Sequence, residues 1–94
     1  METQPSRIAV IGIIVEDPQS VEKLNAILHN YSKYILGRMG IPYREKNMSI
    51  ISIVMDAPAN EISALSGKLG MLPNVSTKTL YSKITSTVPE DHDL

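Results

Sequence analysis

The side chains through which a small protein binds or reacts are sparse in this chain. The one basic cluster is Arg38, Arg44 and Lys46, set in and just after the run Gly37-Arg38-Met39-Gly40-Ile41-Pro42-Tyr43-Arg44 and offset by Glu45 alone. Guanidinium forks suit carboxylates, so Arg38, Met39 and Arg44 are candidate residues for holding an acidic metabolite or the acidic surface of a partner. The competing role for such charges is to keep an exposed edge strand from pairing with other chains. Two glycines within a strand-forming run argue for a bend or a close contact. If the strand is unbroken, the evenly spaced Arg38 and Arg44 project on one side, and a bend at Gly40 or Pro42 parts them.

Other chemistry is thin. With no cysteine, the chain has no disulfide, no thiolate metal site and no thiol nucleophile. His29 directly follows an apolar helix position and His92 lies in the acidic run Glu90-Asp91-His92-Asp93; isolated histidines supply too few ligands for a metal, so no metal or other cofactor is expected. No nucleophile turn or paired-carboxylate motif is present, and the chain is not expected to be an enzyme. After the first strand comes Glu16-Asp17-Pro18-Gln19-Ser20, whose carboxylates would repel a phosphate. Without phenylalanine or tryptophan, and with four tyrosines, the sheet lacks a base-stacking platform. A net charge of −1 gives no field that attracts nucleic acid or an anionic membrane, so direct nucleic-acid binding is not expected.

The elements that must position these residues follow from periodicity. Ile8–Val15 is β-branched on both faces, which marks a covered central strand. Asp17-Pro18 reads as a capping carboxylate followed by proline at the first helical position. Val21, Leu24, Leu28 and Tyr31 then form one helical stripe. Tyr34–Tyr43 suits an edge strand with a bulge or kink. Glu45-Lys46-Asn47 suits a hairpin turn in which asparagine takes positive φ. Met48–Met55 repeats the character of the first strand, Asp56-Ala57-Pro58 opens a second helix with the stripe Ile62, Leu65, Leu69 and Leu72, and Val75–Ile84 alternates as a half-exposed edge strand.

The order β-α-β-β-α-β with right-handed crossovers predicts an α+β, ferredoxin-like sandwich: a four-stranded antiparallel sheet with two helices on one face. On this pattern residues 7–86 are expected to form the single domain, residues 1–6 a disordered N-terminal segment and residues 87–94 an acidic flexible tail. The helices leave one sheet face open, with either Ile8, Val10 and Ile14 or Ala9, Ile11, Ile13 and Val15 on it, joined by Ile50 and Val54 or by Ile51, Ile53 and Met55. Either set makes an apolar patch larger than monomers usually leave exposed, so a homo-oligomer, dimer or tetramer, is expected through that face. Asp17 and Ser20 are helix-cap residues first and become binding candidates because strand-to-helix loops border the dimer groove. The longest apolar stretch, Ile8–Val15, is far short of the roughly 18 residues that span a bilayer and has no cleavage site after it, so a cytoplasmic protein away from the membrane is expected.

Ile8–Val15 with Glu16-Asp17, the run Tyr34–Arg44, Ser49–Pro58, Ala64–Gly70 and Val75–Lys83 together resemble the iron-only hydrogenase system regulator family, and the likeness covers about residues 7–83. That family resembles ACT domains and the nickel-sensing domain of a nickel-responsive repressor. The resemblance implies an ACT-like ferredoxin-fold oligomer with a regulatory role around the hydrogenase system. It does not bring a nickel site, because the cysteine and most of the histidines of that site have no counterpart here. The expected function is a regulatory module that binds a small molecule or partner protein; the alternative is a ligand-free dimeric scaffold.

Overall fold

The computed structural model describes residues 5–83. The expected acidic tail, with His92, and residues 1–4 of the N-terminal segment lie outside them. Four strands and two helices follow in the order β1 (Arg7–Val15), α1 (Ser20–Asn30), β2 (Ile35–Tyr43), β3 (Met48–Ala57), α2 (Ala59–Gly70) and β4 (Val75–Tyr81). The sheet runs β2-β3-β1-β4, and every neighbouring pair is antiparallel. The two strands apolar on both faces therefore stand in the middle, as their composition predicts.

The parity of the sheet is settled by burial. Ala9, Ile11, Ile13 and Val15 of β1 and Ile51, Ile53, Met55 and Ala57 of β3 are buried with Leu24 and Leu28 of α1 and Ile62, Leu65 and Leu69 of α2. These residues form one core between the sheet and the helices. The opposite face carries Ile8, Val10 and Ile14; the strand register sets Val10 between Val54 and Leu80, Ile14 beside Ile50 and Ile8 beside Asp56. The helices leave β2 bare: seven of its nine residues are exposed and the other two are half-buried.

Local boundaries differ from the sequence reading in ways that backbone hydrogen bonds explain. Helix α1 starts at Ser20, with Gln19 and not Asp17 at its cap, and no side chain caps it. Ser20 N–H donates to the Asp17 carbonyl and Val21 N–H to the Pro18 carbonyl, so Asp17-Pro18 forms a tight preliminary turn ahead of the helix. Asp56 and Ala57 remain in β3, because they pair with Ile8 and Arg7, and α2 starts only after Pro58. Tyr34 belongs to a single 3-10 turn, Ser32–Tyr34, before β2. β4 ends at Tyr81, although Ser82 N–H still donates to the Ile8 carbonyl at 2.9 Å. The β2–β3 hairpin turns through Arg44–Lys46 into Asn47, which takes φ 54° in the left-handed region that asparagine tolerates.

Candidate functional site

The side chain of Arg38 is aimed by a bulge. Ile35 pairs with Met55, and the next aligned pair is Gly37 with Val54, so β2 holds one residue, Leu36, more than β3 does. Beyond the bulge Arg38 stands opposite Ile53, whose side chain enters the core. Alternation then sends Arg38 toward the helices and Met39 to the open face. Had β2 paired without the bulge, Arg38 would stand opposite Ser52 and point away from the helices. A one-residue slip flips every side chain of a strand, and this bulge performs that slip at the edge of the sheet.

On the helix side, Arg38 reaches across a seam between β2 and α1. Its Nη2 donates to Asn25 Oδ1 at 2.7 Å. The two residues line a cleft of about 400 Å³ with His29, Ser32, Leu28 and Ile35. Leu28 is buried and Ile35 half-buried, so they make an apolar floor under a polar rim. Asn25, His29 and Ser32 are spaced by four and three residues, and each follows a residue of the buried stripe: Leu24, Leu28 and Tyr31. That spacing along the flank of an amphipathic helix is the signal by which sequence alone could have joined them to Arg38.

The seam continues toward the hairpin. A hollow of about 260 Å³ is lined by Arg38, Gly40, Pro42, Ser49, Ile51, Ile41 and Val21. At the far end a smaller one of about 140 Å³ is lined by Arg44, Tyr43, Pro42, Asn47, Met48, Ser49, Val15, Pro18 and Val21. Arg38 and Arg44 thus share the seam but not a cavity, because Arg44 has left the strand for the hairpin's 3-10 turn. Gly40 is open on its helix-facing side: a β-carbon there would meet Ile51 Cγ1 at an ordinary 3.9 Å.

The remaining candidates from the sequence lie elsewhere. Ser20 is buried, and its hydroxyl donates to the Pro73 carbonyl at 2.8 Å, fastening the start of α1 to the loop before β4. Asp17 accepts from the Gln19 N–H at 3.0 Å within its turn. Met39 is 62% exposed on the other side of the sheet from Arg38. A second basic cluster lies where α1 meets α2: Lys68 Nζ stands 5.1 Å from the Tyr31 ring centroid, and Lys33 Nζ is equally close to the Tyr34 ring. A hydrogen bond with Tyr31 and that residue's charge, and to a lesser degree the charge of Glu61, raise the Lys68 pKa above its ordinary 10.5 against an opposing desolvation. Among the described residues no three metal-ligating side chains gather, and no helix is long and apolar enough to cross a membrane.

Comparison with known proteins places this geometry among relatives. Residues 7–79 match the model of the TM1266-like family, described as "Iron-only hydrogenase system regulator, putative". The solved structure of uncharacterized protein TM1266 from Thermotoga maritima is 40% identical and superposes with a TM-score of 0.80, covering 83% of this chain and 99% of that one. No curated protein matches the chain.

Proposed function

Given that the chain belongs to the TM1266-like family of iron-only hydrogenase system regulators, we propose that it is a non-enzymatic regulatory module of that system, one that works as a homo-oligomer and responds to a small acidic molecule or a partner protein. The observation that carries this reading is the open sheet face. Ile8, Ile14 and Ile50 are each 41% exposed there, and Leu80 is 70% exposed. In register Val10 lies between Val54 and Leu80 and Ile14 beside Ile50, two apolar groups parted by the row Ser52, Gly12 and Lys78, with Asp56 beside Ile8. Large apolar side chains left exposed on one sheet face in this way are what a second copy covers in a symmetric assembly.

Gly12 supports the same reading. It sits at the centre of that face between Ser52 and Lys78, and a β-carbon there would come no nearer than 4.0 Å to the backbone oxygen of Lys78. Nothing among the described residues therefore requires glycine, although glycine weakens a strand. A dimple in the polar row between the two apolar groups gives a facing side chain room to approach.

Light scattering of the full chain at micromolar concentration tests the reading. A mass of two or four chains is expected, and a monomer would refute it. If the oligomer forms but no acidic ligand or partner shifts its melting temperature, a scaffold without a ligand replaces the responsive module.

A further inference from the structure

We propose that the cleft between the C-terminal half of α1 and β2 is the ligand site of this module, and that its ligand is a short-chain aliphatic carboxylate, held with its carboxylate on Arg38 and its hydrocarbon on Leu28 and Ile35. The inference rests on the regulatory reading and names the site and ligand class that the reading leaves open.

Three observations carry it. The first is the state of Arg38. Its hydrogen bond goes to a neutral amide, Asn25, and no carboxylate sits on it among the described residues. The Asn25 contact uses one of five donor hydrogens and pins the planar fork at the cleft. Donors remain for a carboxylate, whose two oxygens match the fork. The second is the bulge at Leu36, which turns Arg38 to the helix side where the cleft lies. Bulges of this kind recur where a side chain must be re-aimed beside a functional site. The third is the cleft itself, about 400 Å³ with an apolar floor and a rim of Asn25, His29, Ser32 and Arg38. That volume is within the range of small-molecule sites, with four polar side chains converging over the small apolar floor.

The same surroundings choose between anions. Asn25 to Ser32 follow the C-terminal half of α1, where the helix dipole presents its negative end. A single charge on Arg38 outweighs that field, whereas a phosphate dianion would meet it twice over with one guanidinium in reply. The floor of Leu28 and Ile35 offers nothing to a bare inorganic ion but removes a short hydrocarbon chain from water. A carboxylate with an aliphatic tail satisfies both parts of the cleft.

Titration of the isotopically labelled full chain with butyrate, followed by amide and guanidinium NMR shifts, tests the assignment. Butyrate is expected to bind in the millimolar range and to shift Asn25, His29, Ser32 and Arg38, while butyramide and inorganic phosphate bind at least tenfold more weakly. Arg38→Gln should weaken butyrate at least tenfold. Arg44→Gln removes the same charge from the hollow at the far end of the seam and should change affinity less than twofold. Equal losses in the two variants, unchanged binding in Arg38→Gln, phosphate binding tighter than butyrate, or no shift with butyrate would each overturn the site. Light scattering on the same samples reads the oligomer separately, so a failure of the ligand site is distinguishable from a failure of the regulatory assembly.

Discussion

Two adjacent residues of β1 provide the sharpest test of how the sheet divides its labour. Val10 lies on the open face between Val54 and Leu80, and Ile11 is wholly buried against the helices. Replacing Val10 with lysine leaves the single chain intact: the side chain can extend into water, and the change costs up to about 1 kcal/mol through strand propensity. For a domain of this size that lowers the melting temperature by roughly 4–8 °C. In the proposed dimer the same lysine would place an ammonium between Val54 and Leu80 in the interface, once from each copy. An unpaired buried charge costs several kcal/mol, and every 1.4 kcal/mol is about a factor of ten. The dissociation constant should therefore rise at least about a thousandfold. Ile11→Lys does the reverse: it removes core packing worth about 2–5 kcal/mol and buries the charge inside the chain, which exceeds or matches the whole stability of a small domain. Light scattering with a circular-dichroism melt separates the cases. Val10→Lys should be a folded monomer and Ile11→Lys unfolded. A Val10→Lys variant that keeps the wild-type oligomeric mass would refute the argument that the open face is the interface.

Leu65→Ala, in the wholly buried stripe of α2, should cost about 2–5 kcal/mol in chemical denaturation. Asn47→Gly should be close to neutral and Asn47→Val destabilising by about 1–2 kcal/mol, because φ 54° strains a β-branched residue; equal melting temperatures would show that the hairpin relaxes. Lys68 has a pKa raised in the folded chain, so its contribution is fully present below the unfolded value of 10.5 and is lost as pH rises through the folded one. Removing it by Lys68→Met should flatten the fall in melting temperature above pH 10.5, and an unchanged pH profile would mean that the Tyr31 contact is not made in solution.

The fold was legible because its signals are redundant. β-branched residues on both faces of β1 and β3 pointed to central strands, and stripes at 3.6-residue spacing set the helix faces. What periodicity leaves undetermined in a strand apolar on both sides is parity: Ile8–Val15 offers two apolar sets, and only packing against Leu24 and Ile62 selects Ala9, Ile11, Ile13 and Val15 for the core. The candidate site was legible in part. The glycines of the Gly37–Tyr43 run marked an irregular edge strand, yet a bulge shifts register without stating which residue is extra, so the separation of Arg38 from Met39 onto opposite faces could not be read. Ser20 carried the residue type of a helix cap, but its partner, Pro73, is distant in sequence and was invisible to local reasoning. His29, next after Leu28 on α1, stands on the flank of the helix, and only the tertiary position of β2 turns that flank into a cleft wall.

One strand belongs to both surfaces. β2 alternates between them after its bulge: Arg38 and Gly40 face the seam, Met39 and Ile41 the open face, and the last two are 62% and 52% exposed. It is hydrogen-bonded on one side only, to β3, and the helices leave it bare. Segments with few buried contacts open and shift at low free energy, so β2 is the strand whose position a ligand can change most cheaply. In the proposed module, a carboxylate fixing Arg38 would act on the same backbone that would present Met39 and Ile41 to a second copy. Thermodynamic linkage makes such an effect reciprocal: the factor by which the ligand tightens or loosens association is the factor by which association changes the affinity for ligand. A central strand such as β1, paired on both sides and with one face locked in the core, could not transmit between the two faces in this way. The exposed and irregular edge is thus the part of the fold suited to regulation, and the regular strands beside it provide the fixed frame against which its movement would register.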